Sequence, residues 1–239
     1  MVKAVLFDVF GTLVDWRTSL IRFFETFGRE RGIAADWPQF VDEWRESYAP
    51  TMDLVRRGDL PWINLDGLHR YAFDALVQQF GLPDLSEEER EHCTLAWHRL
   101  DPWPDVRDGL LSLRSHVLTG TLSNGNIRLL ADLAHYGDLR FDVILSAEIF
   151  RHYKPDSQTY LGAAELLQLA PGEVMLAAAH NGDLRAAANC GLRTAFIARP
   201  EWGPNQHSDL RAEGGIDLTA QDVIDLAERL EERLRTGEG

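Results

Sequence analysis

Cysteine, basic residues and long apolar runs are scarce in this chain. Its two cysteines, Cys93 and Cys190, lie far apart in 239 residues and in no metal-like spacing. That argues against a disulfide-stapled secreted scaffold and against a thiolate metal centre. The expectation is two reduced thiols in a cytoplasmic protein. Lysine and arginine number 24 against 38 aspartates and glutamates, for a formal net charge of −14. Such a surface disfavours nucleic acid and anionic membranes as partners. It also repels small anions at long range, so an anionic substrate needs local cations where it binds. No apolar run approaches the roughly 20 residues that cross a bilayer. The N-terminus, MVKAVLFDVF, reaches an aspartate too early for the core of a signal peptide.

Short apolar runs, by contrast, recur. Val2–Phe7 (VKAVLF) is nearly all apolar, as a strand buried on both faces of a parallel sheet should be. Comparable runs are His116–Leu122, Phe141–Leu145, Val174–Ala179 and Thr194–Ala198. Helical patterns separate them, at Asn126–His135, Ser157–Leu167 and Leu184–Cys190. Strands alternating with helices predict a doubly wound, Rossmann-like α/β core with a parallel sheet. Between Trp16 and about Trp103 the strand pattern stops and four helices are expected: Ser19–Arg31, Trp37–Tyr48, Leu65–Phe80 and Glu87–Arg99. The expected organisation is therefore a core of residues 1–15 and 104–239, with residues 16–103 inserted after the first strand as a helical cap. A last helix, about Thr219 to Arg235, carries Val223, Leu226, Leu230 and Leu234 at helical spacing.

Ligands of doubly wound sheets bind beyond the carboxyl ends of the strands. The residues that follow each run are therefore the informative ones. They are Asp8, Ser123-Asn124, Lys154 and the stretch His180–Asp183. Four separate segments thus bring polar groups to one edge of the sheet. The first of them reads FDVFGTLVDW, with a single carboxylate, Asp8, and an aromatic ring, Phe10, two places on.

In order and spacing these segments resemble the haloacid dehalogenase-like superfamily of hydrolases. Asp8 with Gly11-Thr12 is similar to its first motif, Ser123-Asn124 to the second, Lys154-Pro155-Asp156 to the third, and Asp183 to the fourth. Most members of that superfamily are magnesium-dependent phosphatases, with a second aspartate at the place of Phe10 and another acid at that of Ala179. Both are missing here, and both belong to phosphoryl-transfer chemistry. The remaining pattern resembles the type II 2-haloacid dehalogenases: FDVFGTLVDW, the pair Trp44-Arg45 in the cap, Ser123-Asn124-Gly125, and Lys154-Pro155-Asp156 followed by Tyr160. A halide leaves without a proton, so no acid is needed at position 10.

That resemblance implies hydrolysis of small 2-haloalkanoic acids to 2-hydroxy acids through an aspartyl ester, with no cofactor and no metal. Asp8 would be the nucleophile, Lys154 its paired cation, and Asp183 the group that orients Lys154 and the hydrolytic water. Thr12 and Ser123 would bind the nucleophile or the substrate carboxylate, with Tyr160 in support. Phe10 would shield the carbon under attack. Arg45 and Asn124 would receive the halide. The partners implied are the haloacid and halide, and a second copy of the chain in a homodimer. The resemblance has one local departure. Well-known members carry Ser-x-Asn before the last acid, where this chain has Ala178 and His180. His180 and Asn181 would replace that polar function, with His180 placed to contact substrate or halide. The pattern AAHNGDL, then GLRTAF and RPEWGP, resembles a subgroup with defluorinating members. Two other functions fit the same fold: a magnesium-dependent phosphatase and a non-catalytic binding protein.

Overall fold

The computed structural model describes residues 1–200, 203 and 209–237. Of the RPEWGP segment, Glu201, Trp202 and Pro204 lie outside them. In chain order the elements are β1 (Ala4–Phe7), β2 (Val14–Asp15), α1 (Trp16–Arg31), α2 (Trp37–Glu46), α3 (Tyr48–Arg56), α4 (Leu65–Gln79), α5 (Glu87–Thr94) and β3 (Asp101–Pro102). Then follow α6 (Val106–Leu113), β4 (Leu118–Ser123), α7 (Ile127–Gly137), β5 (Val143–Ser146), α8 (Ala147–Phe150) and α9 (Ser157–Leu166). The chain closes with β6 (Val174–Ala178), α10 (Asn181–Asn189), β7 (Arg193–Ile197), β8 (Leu218–Ala220) and α11 (Val223–Thr236). The described chain divides into two compact units, one of residues 1–15 with 101–239 and one of residues 16–100.

The first unit is built on a six-stranded sheet of order β5-β4-β1-β6-β7-β8, with every neighbouring pair parallel. The α/β expectation is met, with one strand more than the apolar runs indicate. β8 is three residues long and sits at the sheet's edge, too short to stand out as an apolar run. The chain first builds β4 and β5 on one side of β1, then returns to build β6, β7 and β8 on the other. Asp8 follows β1 at this change of direction, where an open sheet leaves a crevice. All four residues of β1 are buried, which explains its run of apolar side chains without alternation. Beneath the sheet, Leu6, Leu122, Tyr160, Leu176, Leu184 and Phe196 belong to one buried cluster. Val14–Asp15 and Asp101–Pro102 pair as a short antiparallel ribbon, so Asp101 and Pro102 belong to this unit.

The second unit is helical. Its interior is aromatic: Phe24, Phe40, Trp44 and Phe73 are buried and their rings contact one another. The helix expected over Trp37–Tyr48 is α2, and a further helix that was not expected, α3, follows it. α2 ends at Glu46, where the Ser47 hydroxyl donates to the Trp44 carbonyl oxygen at 2.6 Å, and α3 starts at Tyr48 with Pro50 in its first turn. Both cysteines are free thiols; burial pushes Cys93 up to about 12. Among the described residues no helix is long and apolar enough to cross a membrane.

Candidate active site

The carboxyl ends of β1, β4 and β6 and the loop after β5 supply one charged cluster. Asp8 Oδ1 accepts a hydrogen bond from Lys154 Nζ at 2.9 Å, and the same ammonium reaches Asp183 Oδ2 at 2.5 Å. Asp183 Oδ1 accepts from the Tyr160 hydroxyl at 2.6 Å. On its other oxygen, Asp8 accepts from the Thr12 hydroxyl at 2.9 Å. Three elements therefore fix the atoms around the nucleophile candidate, and Asp8 and Lys154 are both only 7% exposed.

Local geometry explains each placement. Gly11 turns the chain with φ +81°, a conformation that costs a side-chain-bearing residue but not glycine. That turn swings Thr12 back over Asp8, where its hydroxyl also accepts the Ala179 N–H at 2.9 Å. Lys154 is held through its backbone, because Asn124 Oδ1 accepts the Lys154 N–H at 2.7 Å and Asn124 Nδ2 reaches the Lys154 carbonyl oxygen at 3.4 Å. Asp183 sits in the first turn of α10, where the helix dipole favours a carboxylate.

The electrostatics are those of two buried carboxylates sharing one cation. Burial opposes the charge on Asp8, but the Lys154 ammonium and His180, with hydrogen bonds from Lys154 and Thr12, hold its carboxyl below the usual range. Asp183 moves the opposite way: burial, helped by the Asp8 charge, raises it against the pull of Lys154 and the Tyr160 hydroxyl. Burial also works against the charged ammonium, yet the two carboxylates carry Lys154 above an ordinary lysine. Tyr160 is raised by burial and by Asp183, and stays a neutral donor.

The remaining expected residues divide into those that meet this cluster and those that do not. His180 does: its Nε2 lies 3.6 Å from Asp8 Oδ2 and 3.0 Å from the Phe10 carbonyl oxygen. Phe10 is buried beside it, with its ring against the Gly125 backbone. Ser123 is fully buried and its hydroxyl accepts the Gly125 N–H at 3.1 Å, an anchor for the loop after β4 rather than a contact to Asp8. Asn181 turns to the loop at 209–213. It donates to Asp209 Oδ1 from N (2.8 Å) and Nδ2 (3.1 Å), and to the Arg211 carbonyl oxygen (3.0 Å). Arg45 belongs to the helical unit, half-buried, with its guanidinium 4.6 Å from the Tyr48 ring and 5.8 Å from the Trp16 ring. Among the described residues it forms no ion pair. Trp44 beside it is packing, with its indole N–H donating to the His69 carbonyl oxygen at 3.0 Å.

Two further groups were given no role by the sequence: Asp209, which lies in no motif, and Arg199, the first residue of RPEWGP. Asp209 Oδ2 lies 3.3 Å from His180 Nδ1. Arg199 Nε donates to the Thr12 carbonyl oxygen at 2.7 Å while its terminal nitrogens grip Asp105 at 2.6 and 3.0 Å. Lys154 occupies the space between Asp8 and Asp183, and among the described residues no group of three His, Cys, Asp or Glu side chains is arranged to hold a metal ion.

Comparison with known proteins agrees with this arrangement. The family model described as haloacid dehalogenase-like hydrolase matches residues 2–191. Among solved structures, the L-2-haloacid dehalogenase PA0810 is 50% identical with a TM-score of 0.94, the match covering 97% of this chain and 100% of that one. The defluorinating L-2-haloacid dehalogenase Rha0230 is 45% identical with a TM-score of 0.93, covering 96% of this chain and 95% of that one. The (S)-2-haloacid dehalogenase of Pseudomonas sp. (strain YL) is 30% identical over 202 residues, 83% of each chain. With the family model spanning most of the chain and the sheet presenting that charged cluster at its carboxyl edge, the protein belongs to the haloacid dehalogenase-like hydrolases.

Proposed function

We propose that this chain is a hydrolase of carbon–halogen bonds that converts small 2-haloalkanoic acids to 2-hydroxy acids, acting on the (S) enantiomer of chiral ones and also on achiral fluoroacetate. The observation that carries the reading is a buried carboxylate paired to a lysine, with an aromatic residue where phosphatase members place their second acid. Likeness to two L-2-haloacid dehalogenases at 50% and 45% identity, one of them defluorinating, supports the same conclusion.

In this mechanism an Asp8 oxygen attacks the carbon next to the substrate carboxylate. The carbon–halogen bond breaks, and halide departs with the bonding electrons. Lys154 and Thr12 hold Asp8 ionised and aimed, a preorganisation that needs no rearrangement during the reaction. Water then attacks the ester carbonyl carbon of Asp8, giving up a proton. Asp183, with its raised proton affinity, is suited to accept that proton. The carbonyl bond re-forms, the 2-hydroxy acid leaves, and Asp8 is regenerated. Ser123, Asn124 and Tyr160 keep the two lysine-bearing and aspartate-bearing loops in place, Phe10 keeps water from the carbon under attack, and Arg45 receives the halide. The working form is a cytoplasmic homodimer, which light scattering on the purified chain tests.

The decisive assay is halide release from the 2-chloropropionate enantiomers, chloroacetate and fluoroacetate, with and without EDTA. Release should favour the (S) enantiomer and survive EDTA. In labelled water, a single turnover should place ¹⁸O in Asp8 before it reaches product, and Asp8→Asn should release no halide. Label entering product with none in the enzyme rejects the ester, and magnesium-dependent hydrolysis of phosphomonoesters in place of halide release rejects the function.

A further inference from the structure

Both ring nitrogens of His180 face oxygens that only accept hydrogen bonds. Nδ1 lies 3.3 Å from Asp209 Oδ2, while Nε2 lies 3.0 Å from the Phe10 carbonyl oxygen and 3.6 Å from Asp8 Oδ2. A neutral imidazole carries one N–H, so either tautomer would set a ring lone pair against one of these oxygens. Only the doubly protonated ring donates on both sides.

Asp209 is built to keep that proton in place. Its Oδ1 takes two N–H bonds from Asn181, at 2.8 and 3.1 Å, while Oδ2 faces the ring. Asn181 also donates to the Arg211 carbonyl oxygen at 3.0 Å and accepts the Glu213 N–H at 2.9 Å, so the loop is fastened to the start of α10. Asp209 itself stands at φ +65°, a conformation that aspartate tolerates better than most residues. Burial works against its charge, but the bonds from His180 and Asn181 hold its carboxyl below the usual range.

We propose that Asp209 keeps His180 an imidazolium beside the nucleophile, so that Asp8 lies between two cations, with Lys154 on Oδ1 and His180 on the side of Oδ2. Three carboxylates meet here, and Lys154 is shared, lying closer to Asp183 (2.5 Å) than to Asp8 (2.9 Å). A second cation compensates for that sharing. His180 and the Thr12 hydroxyl both stand on Oδ2, so this oxygen is the better placed to carry negative charge when water attacks the ester. That catalytic consequence rests on the dehalogenase reading; the charge of His180 does not. Asp209 is then a positioning residue, acting through His180, and Asn181 positions Asp209.

Among the described residues, the ionisable groups facing the ring are Asp8, from the end of β1, and Asp209, from the loop, with Lys154 and Asp183 behind Asp8. The test joins ¹⁵N-histidine NMR of the whole chain to pH–rate profiles of halide release. The His180 ring should show both nitrogens protonated at neutral pH, and Asp209→Asn should lower its titration by about one pH unit or more. The alkaline limb of kcat/KM should move down with it. His180→Gln, which has no proton to lose, should lack that limb and release halide on the order of 10²-fold more slowly. A bare ring nitrogen on His180 at neutral pH overturns the proposal, as does an Asp209→Asn profile that superimposes on the wild type. If Asp209→Asn does not fold, the wild-type spectrum decides alone. The spectrum needs no turnover, so a chain that releases no halide would defeat the dehalogenase reading without touching the charge assignment.

Discussion

Lys154 is the residue on which the cluster's charge balance turns. It pairs with Asp8 and Asp183 at once, one positive charge shared by two carboxylates, and all three side chains are buried or nearly so. Removing one partner of a buried ionic group commonly costs about 3–5 kcal/mol, because the charge left behind has lost its water. The expectation for Lys154→Met is a loss of that order with a changed pH dependence. In the wild type, Asp8 is held below its ordinary value of 3.8, so its contribution is present above that pH and is lost only as pH falls through the still lower folded value. Lys154, held above its ordinary 10.5, contributes throughout the range below it. Without the lysine, burial dominates at both carboxyls and raises them, so their charges cost stability at neutral pH and the cost fades on acidification. Melting temperature should therefore climb more steeply from pH 8 to 5 in the variant, where both carboxyls are raised, than in the wild type, where only Asp183 of the two is. Parallel curves would show that the lysine does not offset the buried charge. These residues were legible in the chain because strand ends of a parallel sheet converge, and three such ends carried Asp8, Lys154 and Asp183. Asp209 was not, since it follows no strand and meets His180 across 29 residues of sequence.

At the scale of elements, the legible parts were those with enough residues to show a period. β1, β4 and β6 are buried runs with clear boundaries, whereas β8 has three residues and α6, of eight residues, follows a Pro-rich stretch without a distinct start signal. The joints between elements were not legible either, because long side chains make them. Arg199, just past β7, binds the Thr12 carbonyl oxygen and both oxygens of Asp105, and Asp105 Oδ2 also accepts the Val223 N–H at 2.8 Å. One guanidinium thus ties the turn after Asp8 to the starts of α6 and α11. Its side chain is 4% exposed, so Arg199→Ala strands a half-buried carboxylate and the carbonyl of the buried Thr12. A loss of about 3–5 kcal/mol is expected, which is roughly 6–20 °C in Tm for a chain of this size. Arg199→Lys should fall nearer to the alanine variant than to the wild type, because an ammonium cannot repeat the two-pronged grip and also reach Thr12. Thermal melts of the two variants settle the point, and a wild-type Tm for either removes the brace.

For the whole molecule the governing quantity is charge. A net charge of −14 repels a haloacid carboxylate at long range, and around Asp8 three carboxylates (Asp8, Asp183, Asp209) face two cations, Lys154 and the imidazolium proposed for His180. Catalysis on an anion that expels a second anion therefore requires positive charge from elsewhere in the chain. Arg45 is the residue we propose for that need. It has no carboxylate partner among the described residues, and its guanidinium rests on the rings of Tyr48 and Trp16, which attract the cation without cancelling it. Such a group offers several fixed N–H donors. Halide charge appears mainly as the carbon–halogen bond breaks, so an interaction with it is worth more in the transition state than in the bound substrate. On that argument Arg45→Ala should lower kcat on the order of 10²–10³-fold while KM changes far less. Arg45→Lys should recover only part of the loss, since one ammonium replaces a fork of donors. The split between kcat and KM is the deciding measurement. A large rise in KM with near-normal kcat would make Arg45 a binder of the substrate carboxylate, and near-normal values of both would take it out of the reaction altogether.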